Sequence, residues 1–295
     1  SDLDALKAAW ADFNQTWQYI QWLKVGPILE ESRLFRVQFW PDANNAVGRG
    51  IDNLLILQET ITSEIVASQN VGAQGIPALE KLLFSDTAET SMLSASNAEK
   101  RCEAVVAISQ NLKNISSTVY QGWISTDGNY IAQLTEGNGD FSSRKDAVEE
   151  VVTNWLEQIE RTKDEKMLEP LALNSPGIPT IIEFTMSNQS VPSIKTNAQS
   201  FVDIYTAKGG HGFDDILNGF LEQPSIATQM QEKVDAANAA AALLTEDYKA
   251  LLADDAGRQQ ITDAIQKLRE LRDLLTADFV QATDINIGFN SNDGD

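Results

Sequence analysis

The 295-residue chain has a single cysteine and a single histidine. Cys102 alone cannot form a disulfide within the chain, and it excludes a cysteine-built zinc or iron–sulfur centre. His211 alone excludes a multi-histidine metal centre in one copy of the chain. Long apolar runs are missing too: none reaches the roughly 18–20 residues of a membrane span. No secretory leader is seen, because the chain opens on SDLDALKAAW, which reads as an amphipathic helix. The expectation is therefore a cytosolic protein or one whose leader was removed before residue 1. Positive charge is scarce: 22 Lys+Arg stand against 43 Asp+Glu, for a net charge of -21. Such a surface repels nucleic acid and anionic lipid and attracts cations in bulk. Solubility alone accounts for that charge, since net charge speaks to solubility and association rather than to a site. No nucleophile elbow, HExxH helix or dinucleotide fingerprint occurs.

What the chain does contain is helix. It is 42% hydrophobic, enough for one large domain or two small ones. Leu3, Leu6, Trp10, Phe13, Trp17 and Ile20 recur by threes and fours, the spacing of one helical stripe. Residues 97–122 repeat it with Cys102, Val105, Ile108, Leu112, Ile115 and Val119, behind a capping-box spacing at Ser96 and Glu99. Residues 144–166 continue with Val148, Val152, Trp155 and Ile159. In the second half Pro224 and Ser225 open a helix whose stripe runs from Met230 to Leu251. A last helix covers about 258–282. Nothing keeps a period of two, although Thr180 to Phe184 fits a short extended piece. The reading is an all-α protein with two up-and-down four-helix-type bundles in a weak internal duplication. Its domains are expected at 1–169 and 193–295, joined by a linker at 170–192 rich in Pro, Ser and Asn.

Three segments break the rhythm. Arg36-Val37-Gln38-Phe39-Trp40-Pro41-Asp42 sets a charged and aromatic cluster beside a proline; it reads as a pocket wall or as a helix start capped by Asp42. Gln74 to Phe84 places Pro77 in a first helical turn and Glu80 a turn further, among Ile76, Leu79, Leu83 and Phe84. A carboxylate buried there must be paired or protonated, which makes it a site candidate. The alternative is an exposed glutamate favoured by the helix dipole. The C-terminal IGFNSNDGD at 287–295 reads by composition as a loose tail and lacks the ligand alternation of a calcium loop. His211, in a Gly-rich loop, reads as exposed, and Cys102 as a small core residue.

These pieces in order, RVQFWPD at 36–42, GIPALEKLLF at 75–84, RCEAVVAISQNL at 101–112 and IGFNSNDGD at 287–295, resemble the imelysin-like family. The family's hallmark is Gly-x-His-x-x-Glu ahead of an apolar helix. Gly75 and Glu80 match it, whereas Pro77 stands at the histidine. The resemblance implies a two-domain helical protein of the periplasm or outer cell surface, in some relatives a lipoprotein, associated with bacterial iron uptake and classed with metallopeptidases. It implies a ligand-binding site of Arg36, Trp40, Pro41, Asp42, Gly75, Pro77, Glu80, Phe289, Asn290 and Asp293, with the C-terminus folded back. Glu80, Asp42 and Asp293 are the implied metal ligands, for iron or another divalent or trivalent cation. Oxygen donors suit such hard ions better than zinc. With the motif histidine replaced, a zinc peptidase is disfavoured. The expected partners are iron-transport components or a small chelate. The expected function is binding of a metal, a chelate or a partner peptide in a polar pocket at the domain interface. The alternatives are an imelysin-type metallopeptidase and an interaction module with no small ligand.

Overall fold

The computed structural model describes residues 2–245 and 247–288. Among them there is no strand, and the all-α expectation holds. The backbone forms two units. The first comprises, among the described residues, 2–14, 24–132 and 183–189. The second comprises, among the described residues, 15–23, 133–182, 190–245 and 247–288.

Helix α1 (Asp2–Ile20) gives residues 2–14 to unit 1 and its remainder to unit 2. Unit 1 then runs through α2 (Arg33–Val37), α3 (Ala46–Leu55), α4 (Ser63–Ser68), α5 (Gly75–Phe84), α6 (Ala88–Leu93) and the long α7 (Ala98–Ile124). The short helices α3, α4, α5 and α6 all pack on α7. The buried face of α7 is Ala104, Val105, Ala107, Ile108, Asn111, Leu112 and Ile115. Cys102 lies about 120° around the helix from Ile108 at 3.6 residues per turn, and it is exposed rather than in the core. The Ser96–Glu99 box is not formed. Asn97 occupies the cap position without a side-chain cap, and its Oδ1 instead accepts from Arg101 Nε at 3.3 Å. Helix α8 (Tyr130–Glu136) spans the change from unit 1 to unit 2.

Unit 2 contains α9 (Arg144–Lys163), α10 (Glu169–Leu171), α11 (Ser190–Thr206), α12 (Phe213–Asp215), α13 (Pro224–Ala242), α14 (Tyr248–Ala253), α15 (Asp255–Leu274) and α16 (Val280–Thr283). Local chemistry sets the starts. Ser143 Oγ accepts from Asp146 N at 3.1 Å ahead of α9, and Asp254 Oδ1 from Gly257 N at 2.8 Å ahead of α15. Pro224 opens α13, where a missing N–H costs nothing. The four long helices close a ring, α9 on α11, α11 on α13, α13 on α15 and α15 on α9. This ring moves the expected boundary. α9, assigned from the sequence to the first domain, is one wall of the second unit, and residues 133–182 go with it. Pro179–Ile181 forms a 3-10 turn, not an extended piece.

Inside the ring Trp155 is fully buried. Phe213 stacks on it at 6.0 Å and 15°, and Phe279 meets it edge-on at 6.3 Å and 84°. The buried hydroxyls of Tyr205 and Tyr248 donate to Ala227 O at 2.8 Å and Met167 O at 2.9 Å. Both phenols sit in apolar surroundings without losing their hydrogen bonds.

Candidate functional site

The site is assembled in unit 1 around α5. Gln74 occupies the cap position in extended backbone without a side-chain cap bond, and Gly75 follows with φ +77°. A Cβ on Gly75 would sit 2.3 Å from Val37 O, so only glycine lets α5 start against the end of α2. Pro77 occupies the first turn, as its spacing predicts. The apolar residues Ile76, Ala78, Leu79, Leu82 and Leu83 are buried around the helix, and Glu80 is buried with them, 4% exposed.

A serine receives the Glu80 carboxylate. Ser187 donates to Oε1 from its backbone N–H at 2.9 Å and from its hydroxyl at 2.8 Å. Ser187 is presented by a tight turn in which Phe184 and Asn188 take left-handed backbone, φ +52° and +59°, and Gln189 N donates to Phe184 O at 3.1 Å. The turn is anchored by Phe184, which packs edge-on against Trp10 at 5.6 Å. The Trp10 indole N–H in turn donates to Ile76 O at 3.1 Å. A second buried carboxylate, Glu183, begins the same segment, and its Oε1 accepts from Gln38 Nε2.

These surroundings set the chemistry of Glu80. Burial raises its pKa to about 7; the two Ser187 bonds and a backbone bond from Met186 favour the charged form but only partly offset the desolvation, and the negative charge of Glu183 adds to the rise. Glu80 therefore gains and loses a proton near neutral pH.

The other expected residues are placed as follows. Arg36 is partly buried and donates from Nε to Gln74 Oε1 at 3.2 Å, an oxygen that also accepts from Asn111 Nδ2 at 2.9 Å. Its terminal amino groups bond to neither Glu80 nor Asp42 among the described residues; the side chain lines a cleft of about 200 Å³ with Glu31, Glu64, Asn111 and Thr118. Asp42 is a helix cap. Its Oδ1 accepts from Ala46 N at 2.6 Å and its Oδ2 from Val47 N at 2.9 Å, at the start of α3. Trp40 is half-buried, Pro41 exposed, and the bond between them cis. Phe289, Asn290 and Asp293 lie outside the described residues. His211 is exposed, 3.6 Å from Asp215.

A zinc ion of the peptidase type does not fit this donor set. Pro77 offers no ligand nitrogen where the motif has histidine. Among the described residues no group of three or more His, Cys, Asp or Glu side chains is arranged to hold a metal ion. The structure also adds residues that sequence reasoning passed over: Gln38, Gln74, Asn111, Glu183 and Ser187. Glu183 carried the same signal as Glu80, a lone acid in the apolar run Ile181-Ile182-Glu183-Phe184, but it fell in the stretch taken for a linker. Ser187 carried none.

The fold is similar to that of two solved proteins. One is an imelysin-like protein from Psychrobacter arcticum 273-4, with 22% identity and a TM-score of 0.75 over 98% of this chain and 84% of the other. The second, provisionally named an iron-regulated protein A precursor, comes from Parabacteroides distasonis ATCC 8503. It shows 15% identity and a TM-score of 0.68 over 96% of this chain and 82% of the other. Comparison with curated proteins gives no match. The family model described as Imelysin matches residues 1–275, nearly the whole length, and the chain belongs to the imelysin family.

Proposed function

We propose that the chain is a cell-envelope binding protein of bacterial iron acquisition, in the periplasm or on the outer surface, and that Glu80 receives its ligand. The observation that carries this reading is a carboxylate buried on an apolar helix, with a pKa of about 7 and hydrogen bonds from Ser187 and the Met186 backbone that only partly offset its burial. A carboxylate kept this far from water invites a cation or a hydrogen-bond donor. The name of the Parabacteroides protein supports the iron connection, and its designation as a precursor supports export. With Asp42 committed to a cap and Glu183 acting on Glu80 only through its charge, the oxygen donors suit a chelate or a cationic group of a partner peptide better than a bare ion. Peptide hydrolysis has less support, because the motif histidine is Pro77.

The test is calorimetric titration of metal-stripped protein with ferric citrate, ferrous iron, calcium and zinc, beside Glu80→Gln. The expected result is saturable binding of an iron species, weaker at pH 5.5 than at pH 8 because a proton competes for Glu80, and lost in the variant. Equal binding by both proteins would remove Glu80 from the site. Binding of none of the four, with an unchanged fold in the variant, would leave Glu80 as a structural group.

A further inference from the structure

Unit 1 carries an apolar groove of about 430 Å³ that the Glu80 reading does not use. Its volume falls in the range of small-molecule sites. Leu6 and Trp10 of α1 and Leu83 of α5 form apolar walls, and Ser109, Lys113 and Ser116 of α7 form the polar side. The last three are spaced by four and three residues, so they stand in one row along the helix. The lining contains no acid. Lys113 is its only charged residue, and its side chain is exposed and forms no ion pair or hydrogen bond among the described residues. In a chain of net charge -21, an acid-free groove with one unneutralised lysine at its edge is a local inversion of sign.

We propose that this groove binds a single-chain amphiphile with an anionic head, a free long-chain carboxylate, its tail against Leu6, Trp10 and Leu83 and its head at Lys113 between Ser109 and Ser116. A tail there removes apolar surface from water, and the lysine and the two hydroxyls supply donors to the carboxylate. The net charge opposes an anionic bilayer, which favours a dispersed molecule over a membrane surface as the source of the tail.

The experiment is calorimetry of the full chain with dodecanoate below its micellar concentration, with dodecyltrimethylammonium as the head-group control. Two variants are run, Lys113→Glu and Ala9→Trp; Ala9 is exposed on α1 and lines the groove, so tryptophan there fills the space. One dodecanoate per chain is expected, at least tenfold tighter than the ammonium amphiphile. Lys113→Glu should weaken it at least fivefold, and Ala9→Trp should abolish it with the circular dichroism spectrum retained. Should Ala9→Trp fail to fold, Lys113→Glu decides. No saturable binding, equal affinity for both amphiphiles, or dodecanoate affinity unchanged in Lys113→Glu would overturn the proposal.

Discussion

Unit 2 and unit 1 bury ionisable groups in contrasting company. In unit 2 one continuous apolar core runs from Val152 to Ile285. Beside it Lys166 is 2% exposed and donates to Gln18 Oε1 at 2.6 Å and Asn197 Oδ1 at 2.9 Å. Glu160, also buried in unit 2, accepts from Arg272 Nε at 3.1 Å. In unit 1 Arg33 is buried and bonds Pro27 O and Glu30, while two carboxylates, Glu80 and Glu183, are buried among short helices and a left-handed turn. Both of these acceptors of Lys166, from Gln18 and Asn197, are side-chain amide oxygens. The bonds formed by Glu80 only partly offset its burial, so it sits near the midpoint of its titration. The contrast separates a buried group surrounded by amide acceptors from one whose donors only partly offset its burial, and groups perturbed in the second way cluster at functional sites.

The largest expected effect tests unit 2 as the store of stability. Trp155→Ala should cost about 3–5 kcal/mol in denaturant unfolding, since three aromatic rings lose their shared contact. A loss under about 1 kcal/mol would place the stability elsewhere. The next tests the poised group. The folded-state pKa of Glu80 lies above its ordinary value of 4.5. Its contribution to stability is therefore complete below the unfolded pKa and is lost as pH rises through about 7. Unfolding free energy should fall by up to about 3 kcal/mol between pH 4.5 and 8 from this group. Glu80→Gln should flatten that dependence. An unaltered slope in the variant would break the comparison between the units.

Smaller effects concern how the site is built. Gly75→Ala should destabilise by more than about 1 kcal/mol, because φ +77° and the approach of Val37 O leave no room for a methyl group. It should also weaken ligand binding by displacing α5. Asp42→Ala should cost about 1 kcal/mol as the loss of a cap, with amide exchange accelerated at the start of α3. If instead it abolished binding at full stability, Asp42 would be a ligand residue and more than the cap its two backbone bonds make it.

Much of the fold was legible because helices report their buried face by spacing. α9 follows its expected stripe except at Val148, which is exposed; the stripe from Met230 to Leu251 is buried but divided between α13 and α14; and the last stripe holds in α15, which begins at Asp255, ahead of the expected 258. The site was half legible. Glu80 stood out as an acid among apolar neighbours, and Asp42 beside Pro41 already read as a cap. Glu183 and Ser187 were missed because their role depends on a turn more than 100 residues further along the chain reaching α5. Cys102 was misplaced because residues three apart still diverge by about 60° on a helix, and the apolar stripe of α7 turned out narrower than its pattern.

By itself the sequence determined the helical class, some helix starts such as Pro224, the absence of a cysteine or multi-histidine metal centre within one chain, and the membership that its ordered motifs announce. These follow from local periodicity, backbone chemistry and inventory, which need no knowledge of distant neighbours. Only the tertiary structure decided that α9 joins the second unit, that Arg36 bonds Gln74 and leaves Glu80 alone, and that Glu80 titrates near neutrality. Pairing and desolvation are set by what packs around a group, and the residues that pack around Glu80 come from separate parts of the chain.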